Sequence, residues 1–181
     1  MISDRFRSIM KIVLKFENGN TACGYVNDPK DMGGETVSGI TRKNHPSLSI
    51  WAKLDELEVA DKKKYKPTKE EWDEIYNIYY KNYYKPIKGD YFKDDNVALA
   101  LMDMAVNAGV TTAVKLLQRM LHISADGIVG PKTIGTADVN KNTADRYRDE
   151  RINYYKSLVA KRPSNQKFLN GWIKRATNCH F

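Results

Sequence analysis

The stretch Glu17 to Thr41, ENGNTACGYVNDPKDMGGETVSGIT, constrains this chain more than any other. It follows an apolar, helix-like run (Ile12, Val13, Leu14, Phe16) and is dense in Gly, Asn, Asp and Pro. A chain that leaves a helix into such residues must turn repeatedly, because Gly supplies positive φ and Pro stiffens a turn. Loops of this composition carry function more often than packing. Glu17 closes the apolar run and faces a polar loop that holds Asp28 and Asp31. A carboxylate at a helix end beside a second carboxylate suits general acid catalysis on a glycosidic bond. Thr36 and Thr41 add hydroxyls that could position a water. Gly33, Gly34 and Gly39 read first as backbone devices. The plainer alternatives are a surface Glu17 at a helix end and an Asp28 that caps the turn before Pro29.

Composition sets broad limits. The chain has 181 residues, 41% hydrophobic and 29% charged, enough for one good core and a small second lobe. No run approaches a membrane span. The first residues, MISDRFRSIMKIVLKF, hold no continuous apolar segment and no small-residue cleavage site, so no secretory leader is expected. A protein made in the cytoplasm and acting on the periplasm or wall would need another route out. A net charge of +8 draws the chain to nucleic acid, anionic membrane or cell wall, without choosing among them. Cys23 and Cys179 could pair, although two reduced thiols fit a chain without a leader. His45, His122 and His180 have no ligand spacing, so neither metal nor cofactor is expected.

Periodicity predicts a mainly α chain. Residues 6–16 form a first amphipathic helix, with Phe6, Ile9, Met10, Val13 and Leu14 on one face. Strand content is short, around Tyr25–Val26 and Val37–Ile40, and a brief helix covers Ser47 to Leu57. Thr68-Lys69-Glu70-Glu71 fits a capping box for a helix through Trp72, Ile75, Tyr76, Tyr79, Tyr80 and Tyr83, stopped at Pro86. The tyrosines exceed what one face can bury, and aromatic rings stack well on sugars. Residues 95–108 read as an apolar helix closed by Gly109, and Thr111 or Thr112 can cap the next. Asp103, inside that apolar helix, reads as a buried, hydrogen-bonded carboxylate tying the lobes. An Asp-Gly turn, a Gly-Pro helix start and two further helices complete the chain. The composition shift near Asp90–Asp95 is the plausible lobe boundary.

The run GYVNDPKDMGGETVSGIT resembles the signature of the glycoside hydrolase family 108 lysozymes, in which an apolar helix precedes E-G-G-Y-V-N-D-P-x-D-x-G-G-E-T-x-x-G-I-T. Almost every position from Gly24 to Thr41 matches. LMDMAVNAGVTTAVKLLQRML with DGIVGPKTI resembles the family's D-x-A-V-N-x-G segment and its C-terminal peptidoglycan domain. FLNGWIKRA resembles that domain's close. The resemblance is collinear over nearly the whole chain. It implies a lysozyme-like fold with a loop-rich N-terminal lobe and a helical C-terminal lobe. The catalytic region would span residues 6–93 and a peptidoglycan-binding-like region residues 94–181, packed as one lysozyme-like unit. One departure stands out: NGNTAC separates Glu17 from Gly24-Tyr25, where the pattern sets the Glu directly before G-G-Y.

The resemblance implies an N-acetylmuramidase, with Glu17 as general acid and Asp31 and Thr36 holding water or substrate. Glu35, the rival in the same loop, belongs to G-G-E-T and reads as structural. Tyr25, Asn27 and Asn107 are candidate cleft contacts. Bacterial peptidoglycan is the implied partner, with a holin or a secretion apparatus as the route to it, and the protein is expected to be a monomer. One alternative is a degenerate muramidase that binds the wall without cutting it. The other is a basic nucleic-acid binder, suggested by charge and YYKNYYK but supported by no reader motif.

Overall fold

Helix α1 (Asp4–Asn18) forms where apolar residues recur at helical spacing, and outruns the expected 6–16 segment at both ends. Asp4 in its first turn and Lys15 in its last complement the helix dipole. A computed structural model describes residues 2–19, 21–27 and 34–181. It is 65% helical with little strand: a mainly α, lysozyme-like fold. The chain divides into two compact units, Met10–Tyr79 and Met1–Ile9 with Tyr80–Phe181.

The first unit is organised around a hairpin. Strands β1 (Thr36–Val37) and β2 (Ile40–Thr41) pair antiparallel, Thr36 opposite Thr41 and Val37 opposite Ile40. Val26 adds a bridge to Thr36. The expected strand over Val37–Ile40 is therefore two strands and a turn. Ser38 and Gly39 both have positive φ, 47° and 74°, the signature of a two-residue turn whose twist matches its strands. A serine tolerates this only when fixed from outside. The Ser38 N–H and hydroxyl both donate to the Cys23 carbonyl, at 2.8 and 3.0 Å. The Tyr79 hydroxyl donates to the Ser38 carbonyl at 2.6 Å. Helix α2 (Ile50–Asp55) buries Ile50, Trp51 and Leu54, and a single turn, α3 (Val59–Lys62), follows. Helix α4 (Lys69–Tyr79) starts at the anticipated capping box: the Glu71 N–H donates to Thr68 Oγ1 at 3.3 Å and the Thr68 N–H to Glu71 Oε2 at 2.7 Å.

The second unit is built on α5 (Asp95–Ala108), in which every residue from Val97 to Ala105 is buried. A helix apolar all round belongs at the centre of a bundle. Gly109, at φ 86°, closes α5, and α6 (Val110–Met120) begins at the next residue. The expected Thr111 or Thr112 cap is thus corrected, since one glycine turns the chain and no side chain caps α6. Helices α7 (Pro131–Val139), α8 (Thr143–Lys161) and α9 (Gln166–Asn178) follow. Buried Gln118 holds the Asp-Gly turn. Its amide donates to Asp126 at 2.7 Å and to the Ile128 carbonyl at 3.0 Å, and its oxygen accepts the Gly127 N–H at 2.9 Å.

Asp103 is fully buried, as its apolar surroundings predicted, but it does not tie two lobes. Its partners are Arg151 on α8 and Arg175 on α9, the latter at 2.8–2.9 Å, so it joins three helices within one unit. Both cysteines are buried free thiols. Burial raises the pKa of each, that of Cys179 to about 12.

Candidate active site in the hairpin unit

Glu17 occupies the last turn of α1 and is half-buried. Its carboxyl stands over the hairpin turn: a Cβ added at Gly39 would lie 3.2 Å from Glu17 Oε2 and 3.3 Å from the Tyr79 hydroxyl. The left-handed backbone of Gly39 and the closeness of these two oxygens both disfavour a side chain there. The extra residues after Glu17 do not carry the helix end away from the hairpin. At Gly24 an added Cβ would lie 3.1 Å from the Asn18 Cα and 3.0 Å from the Ser38 nitrogen. The segment thus leaves α1 at Asn18 and returns to the same residue, with the Thr21 N–H and hydroxyl both donating to the Asn18 carbonyl, at 3.1 and 2.9 Å. A loop that closes on itself lengthens the sequence without moving what flanks it.

Beneath the strands runs a polar network. Tyr25, 2% exposed, donates its hydroxyl to Glu35 Oε1 at 2.8 Å. Arg42 Nη1 meets Glu35 Oε2 at 2.8 Å, and the Arg42 guanidinium also grips Asp55 with two bonds of 2.7 and 2.6 Å. Lys62 Nζ lies 3.5 Å from Glu35. Burial works to raise the Glu35 pKa, but the Arg42 and Tyr25 bonds and the Lys62 charge outweigh it, and the net shift is downward. Burial and then the Glu35 bond raise the Tyr25 pKa to about 12. Glu35 is therefore held as an anion that ties both strands to α2 and α3. Its depressed pKa contributes stability that is present above the unfolded value of about 4.3 and is lost as pH falls through the folded value. Glu35→Gln is expected to cost about 1–3 kcal/mol at pH 7 and nearly nothing well below pH 4. Urea midpoints across that range measure the difference, and an equal cost at both ends would refute the linkage.

The sequence-predicted residues fall as follows. Thr36 opens β1, partly exposed, its hydroxyl within 3.4 Å of the Val26 carbonyl. Tyr25 is committed beneath the hairpin, while Asn27 is exposed. Asp31, with Asp28 and Gly33, lies outside the described residues. Asn107 belongs to the other unit, where its amide donates to the Tyr155 hydroxyl at 2.7 Å. Sequence reasoning missed Tyr79, Ser38 and Arg42 as supports of the site. Tyr79 carried a signal as one tyrosine among many on a helical stripe; nothing marked its hydroxyl as the one that holds the turn. Among the described residues no three His, Cys, Asp or Glu side chains gather as a metal site. None of their helices is long and apolar enough to cross a membrane.

Comparison with known proteins fits this architecture. The model of the glycosyl hydrolase 108 family matches residues 10–109, more than half the chain, and the chain belongs to that family. A predicted peptidoglycan domain matches residues 112–177. The pairing is that of a peptidoglycan-related hydrolase. The solved structure of SagA from Brucella abortus is similar at 30% identity, covering 96% of this chain and 90% of that one with a TM-score of 0.63. No curated protein matches the chain.

Proposed function

We infer that this chain is an N-acetylmuramidase that hydrolyses the β-1,4 bond between N-acetylmuramic acid and N-acetylglucosamine in peptidoglycan. The observation that carries this reading is the Glu17 carboxyl standing over Gly39 in the matched loop, despite the extra residues between them. Glu17 is the general acid that protonates the leaving oxygen. Asp31 and Thr36 hold the attacking water or the sugar, Asn27 is a substrate contact, and Tyr25 acts indirectly by fixing Glu35 under the strands. Two carboxyls separated by roughly 6.5–9.5 Å would invert the anomeric centre, whereas roughly 5–5.5 Å would retain it. The peptidoglycan domain and the positive charge both suit an anionic wall polymer.

Digestion of purified peptidoglycan tests the bond assignment. The expected products carry N-acetylmuramic acid at the reducing end, read by mass spectrometry after borohydride reduction. N-acetylglucosamine at that end would overturn the assignment. Binding without any release of product would favour a wall-binding protein that has lost catalysis.

A further inference from the structure

A groove of about 450 Å³ lies on the first unit, and Glu17 is not among the residues that line it. Lys11, Lys15 and Asn18 recur at helical spacing and line it from one side. Glu17 is about 100° further round the helix from Asn18. Trp72 and Tyr76 on α4 line it too, with stacked rings 5.9 Å apart and tilted by 30°. Gly19, Thr21 and Ala22 complete it, and these belong to the segment that lengthens the loop after Glu17.

We propose that this groove is an accessory binding site for a carboxylate-bearing amino sugar of the wall glycan, in the manner of N-acetylmuramic acid. The proposal extends the muramidase reading by giving the same polymer a second hold outside the catalytic loop. Three features select this chemistry. Half-exposed, stacked aromatic rings offer an apolar platform for the C–H face of a pyranose. Lys11 and Lys15 are exposed and, among the described residues, no acidic side chain lines the groove, so it presents positive charge to an incoming carboxylate. The Asn18 amide nitrogen and the Thr21 hydroxyl oxygen supply a neutral donor and a neutral acceptor of the kind an N-acetyl group and ring hydroxyls require. A bare anion would make no use of the rings, and a neutral sugar would make no use of the lysines. Gly19, Thr21 and Ala22 thus gain a role: they wall a groove beside the helix end while Glu17 stays where it stands.

The test uses the full chain carrying Glu17→Gln, so that no ligand is turned over. Indole N–H resonances are followed as N-acetylmuramic acid or N-acetylglucosamine is added. The chain has three tryptophans, and Trp72→Phe assigns the signal. N-acetylmuramic acid is expected to shift the Trp72 resonance with an affinity roughly tenfold above that of N-acetylglucosamine, the size of one charge-assisted contact. The exposed double change Lys11→Glu with Lys15→Glu should remove that preference while the other two indole signals stay in place, which shows that the fold is retained. Equal shifts from both sugars, no Trp72 shift from either, or an unchanged preference in the double variant would each overturn the proposal. The outcome does not depend on the hydrolysis assay: a chain that cleaves peptidoglycan without a Trp72 response keeps the muramidase reading and loses this one.

Discussion

Glu17→Gln is expected to lower peptidoglycan hydrolysis by about 10²–10⁴-fold, the range typical of a lost general acid, with no change in thermal midpoint. The substitution keeps the size and shape of the side chain and removes the titratable proton together with the negative charge. Glu17 is half-buried in the last turn of α1, so the amide needs no repacking. Turbidity clearance of cell-wall suspensions measures the rate, and thermal unfolding measures the fold. Lysis within about threefold of the wild type would sink the assignment, since a dispensable acid contributes less than 1 kcal/mol to the barrier. A companion change, Gly39→Ala, approaches the same carboxyl from the other side. Its Cβ would lie 3.2 Å from Glu17 Oε2, on a backbone at φ 74° that disfavours any side chain. The expected result is a reduced rate together with a stability loss of about 1–2 kcal/mol. A fall in stability at full rate would mean that the turn and the carboxyl are not mechanically linked.

Much of this arrangement was legible in the residues, for reasons that differ from place to place. Helices α1, α4 and α5 announced themselves because apolar periodicity, a capping box and a closing glycine act locally and agree with one another. The hairpin was half visible. Val37 and Ile40 looked like one strand because both are apolar, and only the left-handed pair Ser38-Gly39 breaks them apart. A serine in that conformation depends on the Cys23 carbonyl and the Tyr79 hydroxyl, both distant in sequence. No local pattern encodes such a pair. The same limit applies to the site. Glu17 could be singled out by its place at the end of an apolar helix, whereas its closeness to Gly39 is a product of tertiary folding. Glu35 read as structural from its motif, and the physical reason is the company of Arg42, Tyr25 and Lys62. Asp103 was predicted to be buried because it interrupts an apolar helix, yet its two arginines lie 48 and 72 residues away. Its role as a tie within one unit could not be read from α5 alone.

Asp103→Ala is expected to destabilise the second unit by about 3–5 kcal/mol, the largest stability effect of any single change considered. The carboxylate and the Arg151 side chain are both fully inaccessible to solvent. Removing the carboxylate strands a guanidinium that cannot be deprotonated at any accessible pH. Asp103 raises the Arg151 pKa against the opposing pull of burial, so the attraction is the compensating part of the balance. Arg175 would suffer less, because its side chain keeps 14% exposure and can turn toward water. The asymmetry suggests a sharper test than the single change. In Asp103→Leu with Arg151→Met, neither buried charge remains and the volume is filled by apolar atoms, a replacement that is commonly neutral or stabilising. Guanidinium unfolding should therefore rank the double variant well above Asp103→Ala and near the wild type. If the single change costs less than about 1 kcal/mol, the network contributes little to the fold. If the double variant is as unstable as the single, the penalty arises from lost packing of α5 against α8 and not from an uncompensated charge.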